Sequence, residues 1–121
     1  MLTSGDVVSL DLGIPQGREA GSSHPAVVVT AQRVLDGDPS VVQVVPLTST
    51  LRGFMSEVVI APDEANGLTG ASAAQCQHVR AVAASRLGSR RGNVGATVLR
   101  QVRETLALLL DLPRPAPRLV R

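Results

Sequence analysis

The chain of 121 residues suffices for one compact domain and is too short for two, and its 12 basic residues, all arginine, outnumber its 10 acids by too little to demand a polyanionic partner on net charge alone. One cysteine, Cys76, and two histidines, His24 and His78, exclude an intrachain disulfide and a multi-cysteine metal cluster, so neither metal nor cofactor is expected. Phe54 is the only aromatic residue, which makes the core aliphatic and excludes RNA-recognition-motif and cold-shock modules, both built on aromatic surfaces.

In chain order, "GDVVSLDL" (5–12) alternates and predicts a strand with Val8, Leu10 and Leu12 on one face. Residues 13–23, rich in Gly, Pro and Ser, predict a loop longer than compact domains commonly use, the kind that often carries function. The β-branched runs "PAVVVTA" (25–31) and "SVVQVVPLTS" (40–49) predict two central strands about a "DGDP" turn. Pro46 has no N–H for a ladder, so the second of these is expected to end, bulge or turn there and to lift Thr48 and Ser49 out of regular pairing. "SEVVIA" (56–61) predicts another strand, "PDEANGLTG" a turn, "ASAAQCQHVRAV" (71–82) one long strand, and residues 90–94 a last short one.

From Ala96 to Leu112 the period changes. Val98, Leu99, Val102, Leu106, Leu109 and Leu110 recur at three and four, an amphipathic helix with Gly95 as its N-cap, ended by Pro113, Pro115 and Pro117. Residues 1–112 are therefore expected to form a single mainly β domain with α, five to six short strands bent into a small barrel plus a C-terminal helix. Residues 113–121 read as a mobile Pro/Arg-rich tail. Leu108, beside Leu109 and Leu110, is one apolar residue more than a single face needs; burial at the helix end is the simpler account and a dimer contact the other. No apolar run approaches the roughly 20 residues of a membrane span, and no basic-then-apolar leader opens the chain, so a cytoplasmic protein that does not engage membranes is expected. Arg80, Arg86, Arg90, Arg91, Arg100 and Arg103 crowd residues 80–103, as either a positive face or a solvated surface in a chain that uses Arg for Lys.

Four stretches in order, Gly5 to Gly13, "GREAGSSHPAVVV", "VVPLTSTLRG" with "SEVVI", and "QCQHVRAVAASRLG" leading into the helix, make the sequence similar to the MazF/PemK family, the endoribonuclease toxins of bacterial toxin–antitoxin pairs. The resemblance covers nearly the whole chain. It implies an SH3-like barrel with a C-terminal helix and a homodimer with single-stranded RNA lying in a groove near the dimer interface. It further implies metal-independent, sequence-specific cleavage to 2′,3′-cyclic phosphate and 5′-hydroxyl ends, with a MazE-like antitoxin blocking the same groove.

Carried over residue by residue, the resemblance places Glu19 at the family's loop glutamate, with Arg18 where a serine usually precedes it, and His24 where an arginine precedes proline. Thr48 and Ser49 match the hydroxyl residues after the "VP" strand; Gln75, Gln77 and His78 stand where a carboxylate is often found; Arg80 and Arg86 match later arginines. Arg52 sits in a loop suited to phosphate contact. Cleavage of RNA by its own 2′-hydroxyl needs a group to take that proton, one to protonate the leaving 5′-oxygen, and donors for the charged phosphorane. An imidazole, with an ordinary pKa of about 6.5, can exchange a proton where an arginine supplies only charge and donors. This gives an active reading, with His24 as acid or base, Arg18 as the replacement cation, Thr48 as donor and Glu19 as the second-choice base. The alternative is a catalytically impaired barrel in which His24 merely closes the loop and the protein binds an antitoxin or nucleic acid. Structural readings stand beside these: Thr48 and Ser49 as turn formers, His78 as a satisfied histidine in a strand, Cys76 as a small core residue and Phe54 as a loop anchor.

Overall fold

The computed structural model describes residues 1–11 and 23–113. Arg18 and Glu19, most of the glycine-rich stretch and the chain beyond Pro113 lie outside the described residues. Within them, seven strands run β1 (Asp6–Asp11), β2 (Ser23–Val28), β3 (Val41–Thr48), β4 (Glu57–Ile60), β5 (Ser72–Gln75), β6 (Arg80–Ala83) and β7 (Leu87–Asn93). A short helix, α1 (Gln32–Leu35), precedes the turn between β2 and β3, and α2 (Gly95–Leu109) follows the last strand. Every pairing is antiparallel, in the order β4-β5-β3-β2-β1-β7, with β6 also on β3.

The valine runs need both faces of the sheet buried, and both are. Val7, Val27, Val45 and Leu47 enter one core with Ile60, Cys76, Leu99 and Val102. Their neighbours Val8, Leu10, Ala26, Val28, Val42 and Val44 enter a second with Leu35 and Val82. The period of two sends alternate residues of the same strands to opposite cores. Val8 and Leu10 do share a face, as their spacing predicts. Helix α2 covers the first core with Leu99 and Val102. The Asn93 side-chain oxygen accepts the Gly95 N–H at 2.8 Å, while Val94 takes the cap position and Gly95, at φ +86°, becomes the first residue of the helix. Cys76 is fully buried in that core, and burial pushes its thiol up to about 11. Leu108, Leu109 and Leu110 are each about half exposed, so burial against the domain does not account for them.

Three strand expectations are corrected. β3 does not stop at Pro46: it continues to Thr48, which pairs with Ala73. The "ASAAQCQHVRAV" segment is two strands, β5 and β6, parted by a 3₁₀ turn at Cys76–His78. The last strand is β7, seven residues long rather than a short piece at 90–94. The first two corrections have one cause. Val29 N–H donates to the Gln43 carbonyl, so the odd residues of β3 turn their backbone polar groups toward β2 and the even ones toward the opposite edge. On that edge β3 pairs first with β6, to Val44 with Arg80, then with β5, from Leu47 with Ala74. The two registers differ by three residues, the length of the 3₁₀ turn, and Pro46, whose nitrogen faces that gap, has no donor to leave unpaired.

A buried carboxylate ties the chain's beginning to β7. Asp6 is fully buried and accepts from Thr3 N–H at 2.8 Å, Arg90 Nε at 2.8 Å and Asn93 Nδ2 at 3.0 Å. Burial alone would raise its pKa; the hydrogen bonds and the Arg90 charge outweigh burial and hold it below 3.8. The sign follows: these contacts stabilise the fold fully above the unfolded value, and the contribution is lost as pH falls through the depressed folded one. Asp6→Asn is expected to cost about 2 kcal/mol at neutral pH, with the gap between variant and wild type narrowing in acid. Urea unfolding at neutral and acid pH measures both.

Candidate functional site

The gap at Pro46 is a groove. Pro46, Leu47 and Thr48 of β3, Gln75 of β5, Gln77 and His78 of the 3₁₀ turn, and Arg80 of β6 line a concavity of about 730 Å³, with Leu10 and His24 closing one side. A second, of about 370 Å³, runs from the same His24, Leu47 and Thr48 past Pro25 and Ser49 to Thr69, Ser72 and Arg91. His24 and Thr48 therefore lie where the two grooves meet. The β2–β3 register accords with this: its last pair is Ala26 with Pro46, and the same register carried two residues further would set His24 across from Thr48. His24 is itself held in β2 by pairing with Leu10, so the strand starts two residues before the "PAVVVTA" run.

Local bonds orient these groups. The Thr48 hydroxyl oxygen accepts the Thr50 N–H at 3.1 Å, which leaves its proton to be donated elsewhere. Gln77 Nε2 donates to Glu57 Oε2 at 2.7 Å, and Arg52 approaches the same oxygen at 3.6 Å while lying over the Phe54 ring. Arg52 thus backs Glu57, lining neither groove. Phe54 is half exposed against Arg52 rather than buried as a loop anchor. His78, expected as a satisfied histidine in a strand, is exposed on the 3₁₀ turn and lines the larger groove. Arg86 lies on the turn Ala84–Arg86, outside both.

The arginine-rich segment divides by role. Arg90 is paired with Asp6, and Arg103 donates to the Val29 carbonyl at 3.1 Å and the Thr30 carbonyl at 3.3 Å, so both guanidinium groups support the framework. Arg80 and Arg91 are the arginines of this segment that line the two grooves. Sequence reasoning did not single out Arg91, Thr69, Ser72 or Glu57 as site residues. The close approach of two glycines brings Arg91 and Thr69 together: a Cβ at Gly67 (φ +67°) would lie 2.9 Å from the Arg91 carbonyl carbon, and one at Gly92 2.6 Å from that of Asn66. Among the described residues no three His, Cys, Asp or Glu side chains cluster as metal ligands. The meeting point of the grooves offers one proton-exchanging ring, one hydroxyl donor and a cation along each branch, a setting for an extended anion that passes over the ends of β2 and β3.

The comparisons bear on this geometry. The profile of the family described as "PemK-like, MazF-like toxin of type II toxin-antitoxin system" matches residues 3–110. A similar protein, endoribonuclease MazF9 of Mycobacterium tuberculosis (strain ATCC 25618 / H37Rv), is 35% identical over 119 residues, spanning 93% of this chain and 98% of that one. The MazF structure solved in a MazE-MazF complex from Deinococcus radiodurans is 28% identical, covers 91% of this chain and 96% of its own, and superposes with a TM-score of 0.72. A mycobacterial endoribonuclease solved with its cognate antitoxin is alike in fold, with a TM-score of 0.73 at 23% identity, over 95% of this chain and 100% of that one.

The division of the arginines can be measured. On titration with dimethyl phosphate, side-chain resonances of His24, Thr48, Arg80 and Arg91 are expected to move together, while those of Arg90 and Arg103 stay in place.

Proposed function

The chain belongs to the PemK-like, MazF-like toxin family of type II toxin–antitoxin systems, and from that premise we propose how this endoribonuclease uses its grooves. Single-stranded RNA lies along both, with one phosphodiester over His24 and Thr48, and the cut requires no metal. The 2′-oxygen bonds to phosphorus as its proton leaves, the bond to the 5′-oxygen breaks, and that oxygen takes a proton; the products are a 2′,3′-cyclic phosphate and a 5′-hydroxyl. His24 performs one of the two proton transfers, as acid or as base, with Glu19 the second-choice base for the 2′-hydroxyl proton and Arg18 an added cation. Thr48 donates to a non-bridging oxygen as charge develops there, and Arg80 and Arg91 offset that charge from either side. Gln75, Gln77, His78 and Ser49 contact the flanking nucleotides.

The observation that carries this reading is the placing of His24 and Thr48 at the junction of two continuous grooves. A cognate antitoxin, as in the solved complexes of relatives, is proposed to neutralise the enzyme by occupying the same surface. The half-exposed Leu108, Leu109 and Leu110 are consistent with a homodimer contact. Among the described residues no helix is long and apolar enough to cross a membrane.

Incubation of the protein with a long single-stranded RNA in EDTA is expected to give discrete fragments with cyclic-phosphate ends. His24→Ala is expected to slow cleavage by about 10²- to 10⁴-fold. RNA left intact by the wild type at high protein concentration would favour the impaired-barrel alternative instead.

A further inference from the structure

The carboxylate of Glu57 stands behind the larger groove rather than in it. Its side chain is 2% exposed, and Oε1 is buried with no hydrogen-bond partner. The cost of burying it is met on Oε2 alone, by the Gln77 amide at 2.7 Å and the Arg52 guanidinium at 3.6 Å. Glu57 faces Gln75 across β4 and β5, and the 3₁₀ turn that follows swings Gln77 back over it.

An ionised carboxylate only accepts. Of the two ends of the Gln77 amide, the nitrogen must therefore meet Glu57, and a planar amide so held turns its carbonyl oxygen away. Gln77 is exposed and lines the groove, whereas Glu57 does not. An unrestrained glutamine presents either a donor or an acceptor to a ligand and discriminates little. Fixed by Glu57, Gln77 presents an acceptor.

On the endoribonuclease reading above, we infer that Glu57 is a positioning residue for base selection, holding Gln77 so that its carbonyl oxygen accepts from the exocyclic amine of one RNA base. Adenine, cytosine and guanine carry such an amine. Uracil does not: its one ring N–H is flanked by two carbonyl oxygens that a lone acceptor would face. The subsite therefore disfavours uracil at one position of the bound RNA, and Gln77 reads the base while Glu57 sets what it reads.

The test uses fluorescein-labelled 2′-O-methyl oligoribonucleotides, which cannot be cleaved, varied one position at a time and measured by fluorescence anisotropy. Wild type is expected to show one position at which an amine-bearing base binds about 2- to 10-fold better than uracil or than the same base with its amine replaced by hydrogen. Glu57→Gln, which frees the amide to turn, is expected to erase that preference while preferences at other positions persist. Gln77→Met, which leaves the buried Glu57 carboxylate to Arg52 alone, should erase it too and stands in if Glu57→Gln fails to fold, circular dichroism first showing that it is itself folded. The reversed pair Glu57→Gln with Gln77→Glu restores an acceptor in the groove and should restore the preference. A wild type without amine discrimination at any position would overturn the inference, as would a folded Glu57→Gln with unchanged preferences or with all affinities lowered equally, the mark of a merely structural residue. Because nothing is cut, this result stands apart from the cleavage assay, whose failure would count against the enzyme and not against the reading of the base.

Discussion

Strand β3 changes partner at the one residue in it that has no N–H to lose. Any other residue at position 46 would point a donor into the stretch where β3 is in the ladder of neither β5 nor β6. Proline removes that cost of about 1–3 kcal/mol and so permits the ladder to shift by three residues without a break in β3. The shift is what makes a groove: the 3₁₀ turn of Cys76–His78 takes up the excess chain, buries Cys76 against α2 and leaves Gln77 and His78 on the outside. A stability requirement, anchoring the turn through a small buried thiol, and the proposed functional one, presenting two polar side chains to the groove, fall to neighbouring residues of one turn.

The arginines show the same division. Where a guanidinium meets a buried acceptor, as Arg90 meets Asp6 and Arg103 meets the carbonyls at the end of β2, its several fixed donors close the ends of strands and join distant parts of the chain. Those contacts hold β1, β7 and the middle of α2 in place, and β1 carries Leu10, the partner of His24. Of the cations in the grooves, Arg91 sits on β7, the strand that Arg90 ties to Asp6 of β1, while Arg80 sits on β6, held by its pairing with β3. A similar count of positive charge spread over a solvated surface would have neither effect.

Period and composition made the strands and the helix legible, because alternation and a three-to-four repeat report burial directly. They did not show the partner change. Pro46 predicts an end, a bulge or a turn, since a proline inside a strand normally removes a ladder bond; that the strand runs on past it, between two ladders on this edge, depends on the register of two strands distant in sequence. The same ignorance of register joined β5 and β6 into one strand and placed His78 in it. The likeness of the residues to a family points to His24 and Thr48, and both line the two grooves. Arg91 could not be chosen over Arg90 from sequence, because adjacent residues of a strand differ only in the side they face. Glu57 left a visible trace, an acid opening the apolar run "EVVI", but an exposed strand end would look the same.

The want of aromatic residues bears on how such a groove can read RNA. Bases bound without reference to identity are commonly held by stacking, each ring contributing about 1–3 kcal/mol, and here the one aromatic ring lies outside both grooves beneath Arg52. On the proposed reading, affinity comes from the arginines acting on phosphate, and those contacts are blind to sequence. Discrimination then falls to hydrogen bonds at base edges, and a hydrogen bond discriminates only if the protein group cannot turn to suit the wrong base. Amide side chains are the least suited to this when free, since a half-turn exchanges donor for acceptor. Holding one from behind with a group that can only accept removes that ambiguity, and a carboxylate is the one side chain that does so without offering a donor of its own. In a groove poor in rings, the buried acid behind the amide is where selectivity can be built.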